Sequence, residues 1–570
     1  MNRRNFIEWL TLSTGAIAAT AFPAIAVPET ATGTRKDKDG LTADVVIAGG
    51  GLGGFAAALA ALRNGLSVVL TEETDWIGGQ LTQQGVPPDE HGSIETHGAP
   101  QSYRDFRTAV RQYYIRNYPL TEEARTRAHL NPGDGSVSRL CHEPRVAVAV
   151  LNEMLAPWIS TGRLTLLLEH KMIAADVQGS KVNTLKAVDQ RSGNTIFLTA
   201  PYFIDATELG DLLPLTGTEF VTGSESRQDT GELHAGERAN PENNQAFTMC
   251  FAMDYIPGEE HVIEKPKEYD FWRNFKPTMT PPWPGKLLAL QYSMPITLQP
   301  TMLEFNPDGR MFGEILNLWN YRRIINKTNF RPGAYAGDIT IVNWPQNDYL
   351  PGNLVGATDK DFKLHVNKAK QLSLSLLYWL QTEAPRPDGG NGWPGIRLRK
   401  DVMGTADGMA KYPYIRESRR IKSVFRILEE HVGRDNRTQL LGKTGGNTAA
   451  FFHDSVGVGS YGLDLHPSFG GNNYIHLSCL PFQIPLGALL PVRMDNLLPA
   501  CKNIGTTHIT NGCYRLHPVE WSIGEAVGLL VVWSLKKKTI PRAVREDKNM
   551  LEEFQHFIGT QGLETAWPKK

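Results

Sequence analysis

The stretch from Asp44 to Glu73, DVVIAGGGLGGFAAALAALRNGLSVVLTEE, constrains the fold of this chain more than any other part of it. Asp44 to Ala48 is an apolar run, typical of a strand that is buried on both faces of a parallel sheet. Leu52 to Asn64 has the spacing of an amphipathic helix, and Ser67 to Leu70 is a second apolar run. The sequence therefore predicts a strand, a glycine turn, a helix and a second strand.

The glycines of this unit fit a phosphate-binding turn. Gly49, Gly51 and Gly54 satisfy the pattern G-x-G-x-x-G at the junction of strand and helix. The first glycine permits a tight turn, the second lets the backbone approach a pyrophosphate, and the third lets the helix pack on the strand. Glu72 falls eighteen positions after Gly54, where a carboxylate can bind ribose hydroxyls. We predict a dinucleotide site here, and the alternative is a purely structural glycine turn.

A second match to the same pattern has a different context. GVGSYG, residues 457 to 462, is followed by Leu463, Asp464, His466 and Pro467. No amphipathic helix can begin there, because proline removes a backbone donor and its ring clashes with a preceding turn. We therefore expect no dinucleotide loop at this second match.

Two later segments favour FAD over NAD, since Rossmann loops serve both cofactors. In TDWIGGQLTQQG, Gly78 and Gly79 would let the backbone approach a flat ring, and Gln80 and Thr82 offer hydrogen bonds. In DATELGDLL, which follows an apolar run, Asp205 lies in an acidic turn. All five residues are predicted to bind the cofactor.

A third such segment is NLLPACKNIGTTHITNGCYRLHPVEWSIGEAVGLLVVWSL, near the end of the chain. It contains Asn503 and closes with Gly524 and Gly528 in an apolar helix, and these three residues are also predicted to bind FAD. Glu525 interrupts that helix, which is also short for a membrane span. We therefore expect the helix to belong to the cofactor site.

The chain resembles the FAD-dependent oxidoreductase family related to fumarate reductase flavoproteins and, more distantly, to glutathione reductase. Besides the segments above, the resemblance rests on YIRESRRI (residues 414 to 421), GSYGLDLHP (residues 459 to 467) and IPLGALLP, and it spans about residues 44 to 535. It implies an α/β fold with a Rossmann-type FAD-binding domain that is non-contiguous and surrounds an inserted α+β substrate domain. The last helix of that domain would point its N-terminus at the flavin pyrimidine.

The predicted organisation follows from this resemblance and from composition. We predict an FAD-binding domain at residues 41–215 and 490–540, a substrate domain at residues 216–489, and a tail helix at residues 541–570. Residues 27–40 are polar, and this composition predicts a flexible linker.

The first 26 residues resemble a twin-arginine export signal. Arg3 and Arg4 precede Phe6, a small and apolar stretch follows, and residues 24 to 26 form a small-x-small cleavage pattern. The alternative is an uncleaved membrane anchor, although the stretch is short and contains Thr, Ser, Gly and Pro. We expect an exported protein, periplasmic or secreted, with no stable membrane span after cleavage.

Charge and cysteine usage argue against other classes of partner. Lys and Arg total 59 against 60 for Asp and Glu, the formal net charge is −1, and no basic stripe suggests nucleic acid. The five cysteines are scattered and form no CxxC pair. We therefore expect a small-molecule substrate, no disulfide framework and no metal site.

Two clusters are candidates for the chemistry. Asp464 and His466 are two positions apart, so on an extended segment they project to the same side and could form a carboxylate-oriented imidazole base, with Tyr461 as a further donor. The alternative is a solvated polar loop. By resemblance, His508 and Arg515 match family positions near the isoalloxazine, and Arg515 could neutralise a substrate carboxylate or the flavin anion.

The remaining candidates have weaker signals. His517 is a substrate candidate, although a lone histidine is more often structural. In YIRESRRI, Arg416 or Arg419 could grip an anionic substrate, together with Glu417. Equally, Glu417 and a neighbouring arginine could form an internal ion pair that locks two domains, and the sequence favours this structural interpretation.

The sequence thus predicts an enzyme, an FAD-dependent dehydrogenase or reductase that moves hydride between a small organic molecule and flavin N5, with an unidentified electron acceptor. One alternative is a double-bond reductase of the fumarate reductase kind. Alternatives of another class are a nucleic-acid-modifying flavoprotein and a flavin-binding module without turnover.

Overall fold

The computed structural model describes residues 33–37, 40–309 and 315–568 of the 570-residue chain. The predicted export signal, residues 1–26, lies outside these ranges. The strands are, in chain order, β1 Arg35–Asp37, β2 Gly40–Thr42, β3 Val45–Ala48, β4 Val68–Glu72, β5 Leu164–Leu168, β6 His170–Gln178, β7 Lys181–Asp189, β8 Thr195–Thr199, β9 Tyr202–Asp205, β10 Phe220–Val221, β11 Phe247–Thr248, β12 Phe251–Tyr255, β13 Gln291–Ser293, β14 Pro300–Met302, β15 Arg323–Ile325, β16 Ile339–Val342, β17 Asp348–Tyr349, β18 Ile396–Leu398, β19 Arg420–Ile421, β20 Ser455–Gly459, β21 Leu463–Leu465, β22 Ile475–Leu477, β23 Phe482–Pro485 and β24 Leu497–Pro499.

The α-helices are α1 Leu52–Arg63, α2 Gln101–Asn117, α3 Glu122–Thr126, α4 Pro144–Ser160, α5 Leu212–Leu215, α6 Arg227–Thr230, α7 Tyr269–Asn274, α8 Leu318–Tyr321, α9 Asp359–Thr382, α10 Lys400–Met403, α11 Glu429–Val432, α12 Arg434–Gly445, α13 His508–Tyr514, α14 His517–Lys537, α15 Pro541–Glu546 and α16 Lys548–Thr560. Short 3₁₀ turns lie at Gly79–Leu81, Lys327–Asn329, Pro345–Asn347 and Leu486–Leu489.

The glycine unit lies inside a parallel sheet with the strand order β24-β9-β3-β4-β5. Strands β3 and β4 and helix α1 confirm the predicted strand, helix and strand. Every residue of β3, β4, β9 and β24 is buried, as expected for a parallel sheet covered on both faces. Because β24 pairs with β9, the sheet joins the two ends of the chain, as the resemblance implied.

Helix α14 packs directly on α1. A Cβ atom on Gly524 would lie 2.0 Å from the carbonyl oxygen of Gly53, and one on Gly528 would lie 2.5 Å from that of Ala57. Only glycine therefore fits at these two positions of α14. Among the described residues, α14 alone is long and apolar enough to cross a membrane, but it is buried inside the protein over most of its length.

A second sheet has the strand order β1-β2-β8-β7-β6. Strands β6, β7 and β8 form an antiparallel meander, while β2 runs parallel to β8. β1 pairs with β2 through residues 35–37, within the segment predicted to be a flexible linker. That prediction is corrected for these residues, because strand pairing supplies backbone partners that polar composition does not reveal.

The middle of the chain forms an α+β region with its own apolar core. Strands β15, β16, β12 and β18 pair in that order, all antiparallel, and the 24-residue helix α9 accompanies them. The core of this region includes the buried Trp272, Trp319, Trp344 and Trp379 and is distinct from the core around the parallel sheet. The region lies within the predicted substrate domain, and the observed mixture of elements agrees with the predicted fold class.

Two further predictions from the sequence can be compared with the observed elements. The second glycine match, residues 457–462, begins within strand β20 and is followed by strand β21 and not by a helix, as predicted. The C-terminal tail, predicted as one surface helix, instead forms α15 and α16. Helix α16 buries Leu551, Phe554 and Ile558, because one of its faces is apolar and packs on the protein.

Candidate active site

The glycine turn has the geometry that its three glycines predict. Gly49 has a φ of 97°, a conformation that L side chains rarely adopt. A Cβ atom on Gly54 would lie 1.9 Å from the carbonyl oxygen of Gly49, so the helix approaches the turn closely. Gly51 is the N-cap of α1 and has no side chain to cap the first N–H groups of the helix, which suit an anionic ligand; the N–H of Gly53 lies 3.5 Å from Oε1 of Glu520.

Glu72 lies at the end of β4 and lines a cleft with Gly49, Gly51, Thr207 and Tyr412. Its carboxylate accepts hydrogen bonds from the backbone N–H of Gly50 at 3.0 Å and of Thr74 at 2.9 Å. Burial raises the pKa of Glu72 to about 7, so its carboxyl group is only partly ionised at neutral pH. Its position fits the predicted binding of ribose hydroxyls.

Gly78 and Gly79 fold onto the glycine turn. Both have positive φ, 112° and 57°, and the N–H of Gly78 donates to the carbonyl oxygen of Gly50 at 2.8 Å. A Cβ atom on Gly79 would lie 3.0 Å from the Cα of Gly51, so the two glycine segments are in contact. Thr82 donates to the carbonyl oxygen of Ile77 at 2.7 Å, and its hydroxyl is therefore used within the turn.

Buried polar atoms beside these segments have no protein partner. Gln80 donates through Nε2 to the carbonyl oxygen of Arg515 at 2.9 Å and to Glu520 at 2.7 Å, but its Oε1 accepts no hydrogen bond from the described residues. The same holds for both amide atoms of Gln84 and for Oε1 of Glu208. Since buried polar groups are almost always paired, these atoms fit a polar ligand such as a dinucleotide with a heteroaromatic ring.

A buried lysine compensates the carboxylates beside the turn. Lys502 forms an ion pair with Glu208, and its Nζ lies 3.9 Å from Oε2 of Glu520 and 3.4 Å from Sγ of Cys501. Glu208, Cys501 and Glu520 bring candidate ligand atoms within 4.8 Å of one another, a spacing that could suit a metal ion. The ammonium of Lys502 already supplies a cation at this position, which lowers the cost of bringing a pyrophosphate near two carboxylates.

Asp205 and Asn503 connect the carboxyl ends of two neighbouring strands, β9 and β24. The carboxylate of Asp205 accepts hydrogen bonds from Thr207 N at 3.0 Å and from Leu212 N at 3.1 Å. Asn503 donates to the carbonyl oxygen of Asp205 at 3.0 Å and accepts from Cys501 N at 3.1 Å. Both side chains thus hold local turns that border the cleft.

Gly524 and Gly528, predicted to bind FAD, have a different role from the one predicted. Their missing side chains would point at Gly53 and Ala57 of α1. The two glycines therefore permit the close packing of two helices and bring the start of α14 to the glycine turn. The sequence pattern alone could not separate these roles, because both require a residue without a side chain.

A cavity of about 200 Å³ brings together most of the predicted catalytic residues. It is lined by Asp89, Tyr292, Pro295, Leu303, Leu316, Leu318, Tyr321, Arg322, Asn343, Pro345, Tyr414, Arg416, Tyr461, Asp464, His466, Tyr474, His476 and Arg515. Tyr412 of the glycine cleft and Tyr414 of this cavity lie two positions apart on one segment. The cleft and the cavity are therefore neighbours.

His466 is held by a carboxylate that the sequence did not indicate. Its Nδ1 lies 2.6 Å from Oδ2 of Asp348, and Asp348 also forms an ion pair with Arg416 at 3.1 Å. Burial and the charge of Arg416 lower the pKa of His466, although Asp348 opposes them. Asp464, predicted as the orienting carboxylate, lies 3.8 Å from Nε2 of His466 instead, because its side chain pairs with His476 at 3.1 Å.

Asp464 is a permanently ionised wall of the cavity. Burial would raise its pKa, but the hydrogen bond from His476 and the charges of His466 and Arg515 hold the pKa of Asp464 well below its usual range. Arg515 donates to the hydroxyl of Tyr414 at 2.8 Å and to the carbonyl oxygen of Asp464 at 2.9 Å. Arg515 therefore contributes positive charge to the cavity while its terminal nitrogens are occupied.

The structure places His508 in a different environment. Its Nδ1 lies 2.5 Å from Oε1 of Glu417, and Glu417 also accepts from Gln245 N at 2.8 Å. His508 lines a separate cavity with Glu225 and Glu232 and is absent from the lining of the cavity that holds His466. Glu417 thus makes an internal contact with a histidine rather than with a neighbouring arginine.

Of the other substrate candidates, Arg419 and His517 make internal contacts and Arg416 lines the cavity. Arg419 pairs with Asp211 at 3.1 Å, outside the cavity lining, so it forms an internal ion pair, although not with Glu417 as predicted. His517 accepts a hydrogen bond from Asp89 N at 3.1 Å, and burial lowers the pKa of His517 to about 4. Of the substrate candidates, only Arg416 lines the cavity.

Several cavity and cleft residues carried no usable sequence signal. Asp348 and Arg322 lie in segments for which no motif was found in the sequence, and Lys502 lies in the C-terminal cofactor segment but was not among the predicted site residues. Only tertiary contacts bring them to the site, and two of the three, Arg322 and Asp348, come from the inserted α+β region.

A glycine turn on a parallel sheet, a second glycine pair folded onto it and a polar cavity alongside define a nucleotide-dependent α/β enzyme. The family model of the FAD dependent oxidoreductases matches residues 44–558, and the chain belongs to that family. Its cofactor is accordingly FAD, and the protein is an oxidoreductase.

Solved structures give weaker matches. L-proline dehydrogenase from P. horikoshii is 17% identical over 34% of this chain and 27% of its own, with a TM-score of 0.18. THI4 from Thermovibrio ammonificans is 15% identical over 32% of this chain and 67% of its own, with a TM-score of 0.22. A flavocytochrome c3 fumarate reductase in an open conformation is 16% identical over 29% and 33%, with a TM-score of 0.19.

The chain thus spans about a quarter of the length of that dehydrogenase, 27%. A comparison with curated protein sequences finds no match.

Proposed function

We propose that this protein is an exported FAD-dependent oxidoreductase that transfers hydride between a small organic substrate and flavin N5, with His466 as the proton-transferring group. The observation that carries the proposal is the buried His466 and Asp348 pair in a cavity next to the glycine cleft. A hydride-transfer reaction needs one proton-transferring group beside the substrate, and the cavity supplies it.

The cleft residues would hold the cofactor in a defined order. The N–H groups at the start of α1 suit the pyrophosphate, and Glu72 suits the ribose. Gly78, Gly79 and Gln80 form the surface that reaches toward the cavity, since Gln80 is bonded to the backbone of Arg515. FAD, when bound, supplies the hydride acceptor or donor of the reaction.

His466 would move the proton. Asp348 accepts from Nδ1–H, which leaves the Nε2 lone pair for a substrate hydroxyl or amine. Because the pKa of His466 is lowered, the imidazole is neutral and competent as a base at neutral pH. Asp464, 3.8 Å from Nε2, would stabilise the imidazolium that forms.

The test is anaerobic screening of metabolite pools against the flavin absorbance of the purified protein. Bleaching by a donor, lost in His466→Asn with flavin content unchanged, is the expected result. Flavin that no donor reduces, but that an unsaturated acid reoxidises after dye reduction, would instead support the double-bond reductase.

Export and the partners are part of the same proposal. The support for export is the pair Arg3 and Arg4 ahead of an apolar stretch with a small-x-small cleavage pattern. Replacement of both arginines by lysine is expected to leave the protein in the cytoplasm, as measured by cell fractionation. We propose an electron acceptor of still unidentified chemistry and no nucleic-acid partner, in line with the net charge of −1.

A further inference from the structure

The cavity that holds His466 has one apolar wall, and this wall reaches the surface. Pro295, Leu303, Leu316 and Leu318 line the cavity: Pro295 lies between β13 and β14, Leu303 follows β14, and Leu316 and Leu318 lie at the start of α8. Their neighbours Met294, Ile296, Met302 and Ile315 are exposed large hydrophobic residues. The wall therefore forms the mouth of the cavity and suits an apolar part of a ligand.

The lining also carries buried donors without a partner, beside the carboxylates of Asp89 and Asp464. Nε of Arg322, Nδ2 of Asn343 and the hydroxyl of Tyr474 are buried and have no hydrogen-bond partner among the described residues, and the same holds for Nε of Arg416 and of Arg515. Arg322, Asn343 and Tyr474 are 7%, 4% and 4% exposed. Since buried donors are almost always paired, five of them in one cavity indicate a ligand that brings acceptor oxygens.

Arg322 is the least engaged of the three arginines in the lining. Arg416 donates to Ala246 O at 2.7 Å and pairs with Asp348, and Arg515 has two hydrogen bonds below 3.0 Å. Arg322 has only contacts of 3.5 Å, to the carbonyl oxygen of Pro87 and to Asp89. Its guanidinium therefore has the most donors to spare for an anion.

The orientation of Asn343 follows from its neighbour. Arg416 donates through Nη2 to Oδ1 of Asn343 at 3.3 Å, and a guanidinium has no acceptor. The Nδ2 end of Asn343 must therefore face away from Arg416 and is free to donate. Tyr474 stays protonated, because burial raises its pKa well above the usual range, and its hydroxyl can donate as well.

We propose that the substrate is a monocarboxylate with an apolar body, its carboxylate bound by Arg322, Asn343 and Tyr474 and its body against the apolar wall of Pro295, Leu303, Leu316 and Leu318. This inference rests on the proposed function and names the substrate class for the same cavity. A small dicarboxylate would place a second charge on the apolar wall, which is costly to desolvate.

Calorimetric titration of the FAD-loaded protein tests the proposal without turnover. The probes are 3-phenylpropionate, its neutral amide 3-phenylpropanamide, and the dicarboxylate succinate. We expect 3-phenylpropionate to bind at least about tenfold more tightly than either of the others, since a charge-assisted bidentate contact contributes that much or more. Equal binding of the acid and its amide, or tighter binding of succinate, would overturn the proposal.

Matched variants locate the contact. Arg322→Met keeps the length of the side chain and removes the fork, and is expected to weaken 3-phenylpropionate about tenfold or more while leaving the amide unchanged. Asn343→Asp keeps the acceptor for Arg416 but replaces the donor with an oxygen that repels a carboxylate. This variant is also expected to weaken 3-phenylpropionate and to leave binding of the amide unchanged. Arg331→Met is the control, because Arg331 is exposed and forms no ion pair with described residues.

The apolar wall has its own variant. Leu316→Ser is expected to weaken 3-phenylpropionate several-fold and to leave succinate binding unchanged, since Leu316 lines the mouth of the cavity. Flavin absorbance and thermal melting of each variant identify any that fails to fold. A variant set in which Arg322→Met and Arg331→Met bind the acid equally well would refute the proposal even if substrate-dependent flavin reduction is intact. Acid binding that depends on Arg322, in a protein whose flavin no donor reduces, would support the binding site and refute the proposed function.

Discussion

Nδ1 of His466 lies 2.6 Å from Oδ2 of Asp348, although the two residues are 118 positions apart in the chain. The same carboxylate forms an ion pair with Arg416 and accepts from the hydroxyl of Thr248 at 2.6 Å. Asp348 is therefore fixed from three sides, and it fixes the imidazole in turn. This arrangement leaves Nε2 of His466 as the reactive nitrogen of the cavity.

Asp348→Asn is expected to lower kcat/KM by about 100-fold or more, since loss of the orienting carboxylate disfavours the productive tautomer. Asp348 raises the pKa of His466 against burial and Arg416, so its removal lowers that pKa further. The acidic limb of the pH profile of kcat/KM should then shift to lower pH. Rates measured between pH 5 and 9 check this, and an unchanged acidic limb would show that His466 is not the titrating base.

Gly51→Val is expected to yield a folded protein without flavin. A Cβ atom on Gly51 would lie 3.0 Å from Oε1 of Glu208 and 3.6 Å from Oε1 of Glu520, the ends of two side chains, but it would occupy the approach of the cofactor to the helix. Gly54→Val should instead prevent folding, because its Cβ atom would lie 1.9 Å from backbone. The ratio of absorbance at 450 nm to 280 nm and the circular dichroism spectrum separate the two outcomes, with Gly92→Ala, in open space, as control.

Lys502→Met is expected to destabilise the protein by about 3 to 5 kcal/mol and to weaken FAD binding. The substitution removes the cation between Glu208 and Glu520 and leaves two buried carboxylates beside the glycine turn. Thermal melting and fluorescence titration with FAD measure the two effects. The double variant Lys502→Met with Glu208→Gln should recover part of the lost stability, and a melting temperature unaffected by Lys502→Met would contradict the buried ion pair.

Glu525→Gln is expected to stabilise the protein at pH 8 but not at pH 5. Burial raises the pKa of Glu525 from 4.5 to about 7, so its contribution to stability is fully present below pH 4.5 and is lost as the pH rises through 7. The difference between the two pKa values corresponds to at most about 3 kcal/mol.

Melting temperatures of wild type and Glu525→Gln, measured from pH 5 to pH 8, test this pH dependence. The gap between the two proteins should widen as the pH rises. Glu552→Gln is a suitable control because Glu552 is exposed on α16. A gap that is constant with pH would show that Glu525 is not a buried titrating group.

The local part of the fold was predictable from the sequence because its signals are short in range. The run from Val45 to Glu72 gives a strand, a helix and a strand where the apolar periodicity and the glycines place them. The residues Tyr461, Asp464, His466 and Arg515 were also predicted, and they meet in one cavity. The resemblance to a family supplied the order of segments that periodicity alone could not.

The partners of those residues were not predictable in the same way. Either Asp348 or Asp464 could orient the imidazole of His466. The pairing of β17 with β11 places Asp348, and not Asp464, at Nδ1 of His466. Gly524 and Gly528 were assigned to the cofactor because a glycine in a helix near a nucleotide site is ambiguous between close ligand approach and close helix packing. Such choices depend on contacts across the whole chain, which a single sequence does not encode locally.

Because Gly524 of α14 packs against Gly53 of α1, the packing of an early helix depends on one that is translated late. Helix α1 is among the first segments to leave the ribosome, and all of its residues except Arg63 are buried in the finished protein. Its covering helix is among the last to be translated. Until α14 is translated, the face of α1 that carries Gly53 and Ala57 lacks its covering helix, and we expect chains that end before α14 not to retain flavin. Yellow colour in a preparation consequently reports only molecules translated past α14.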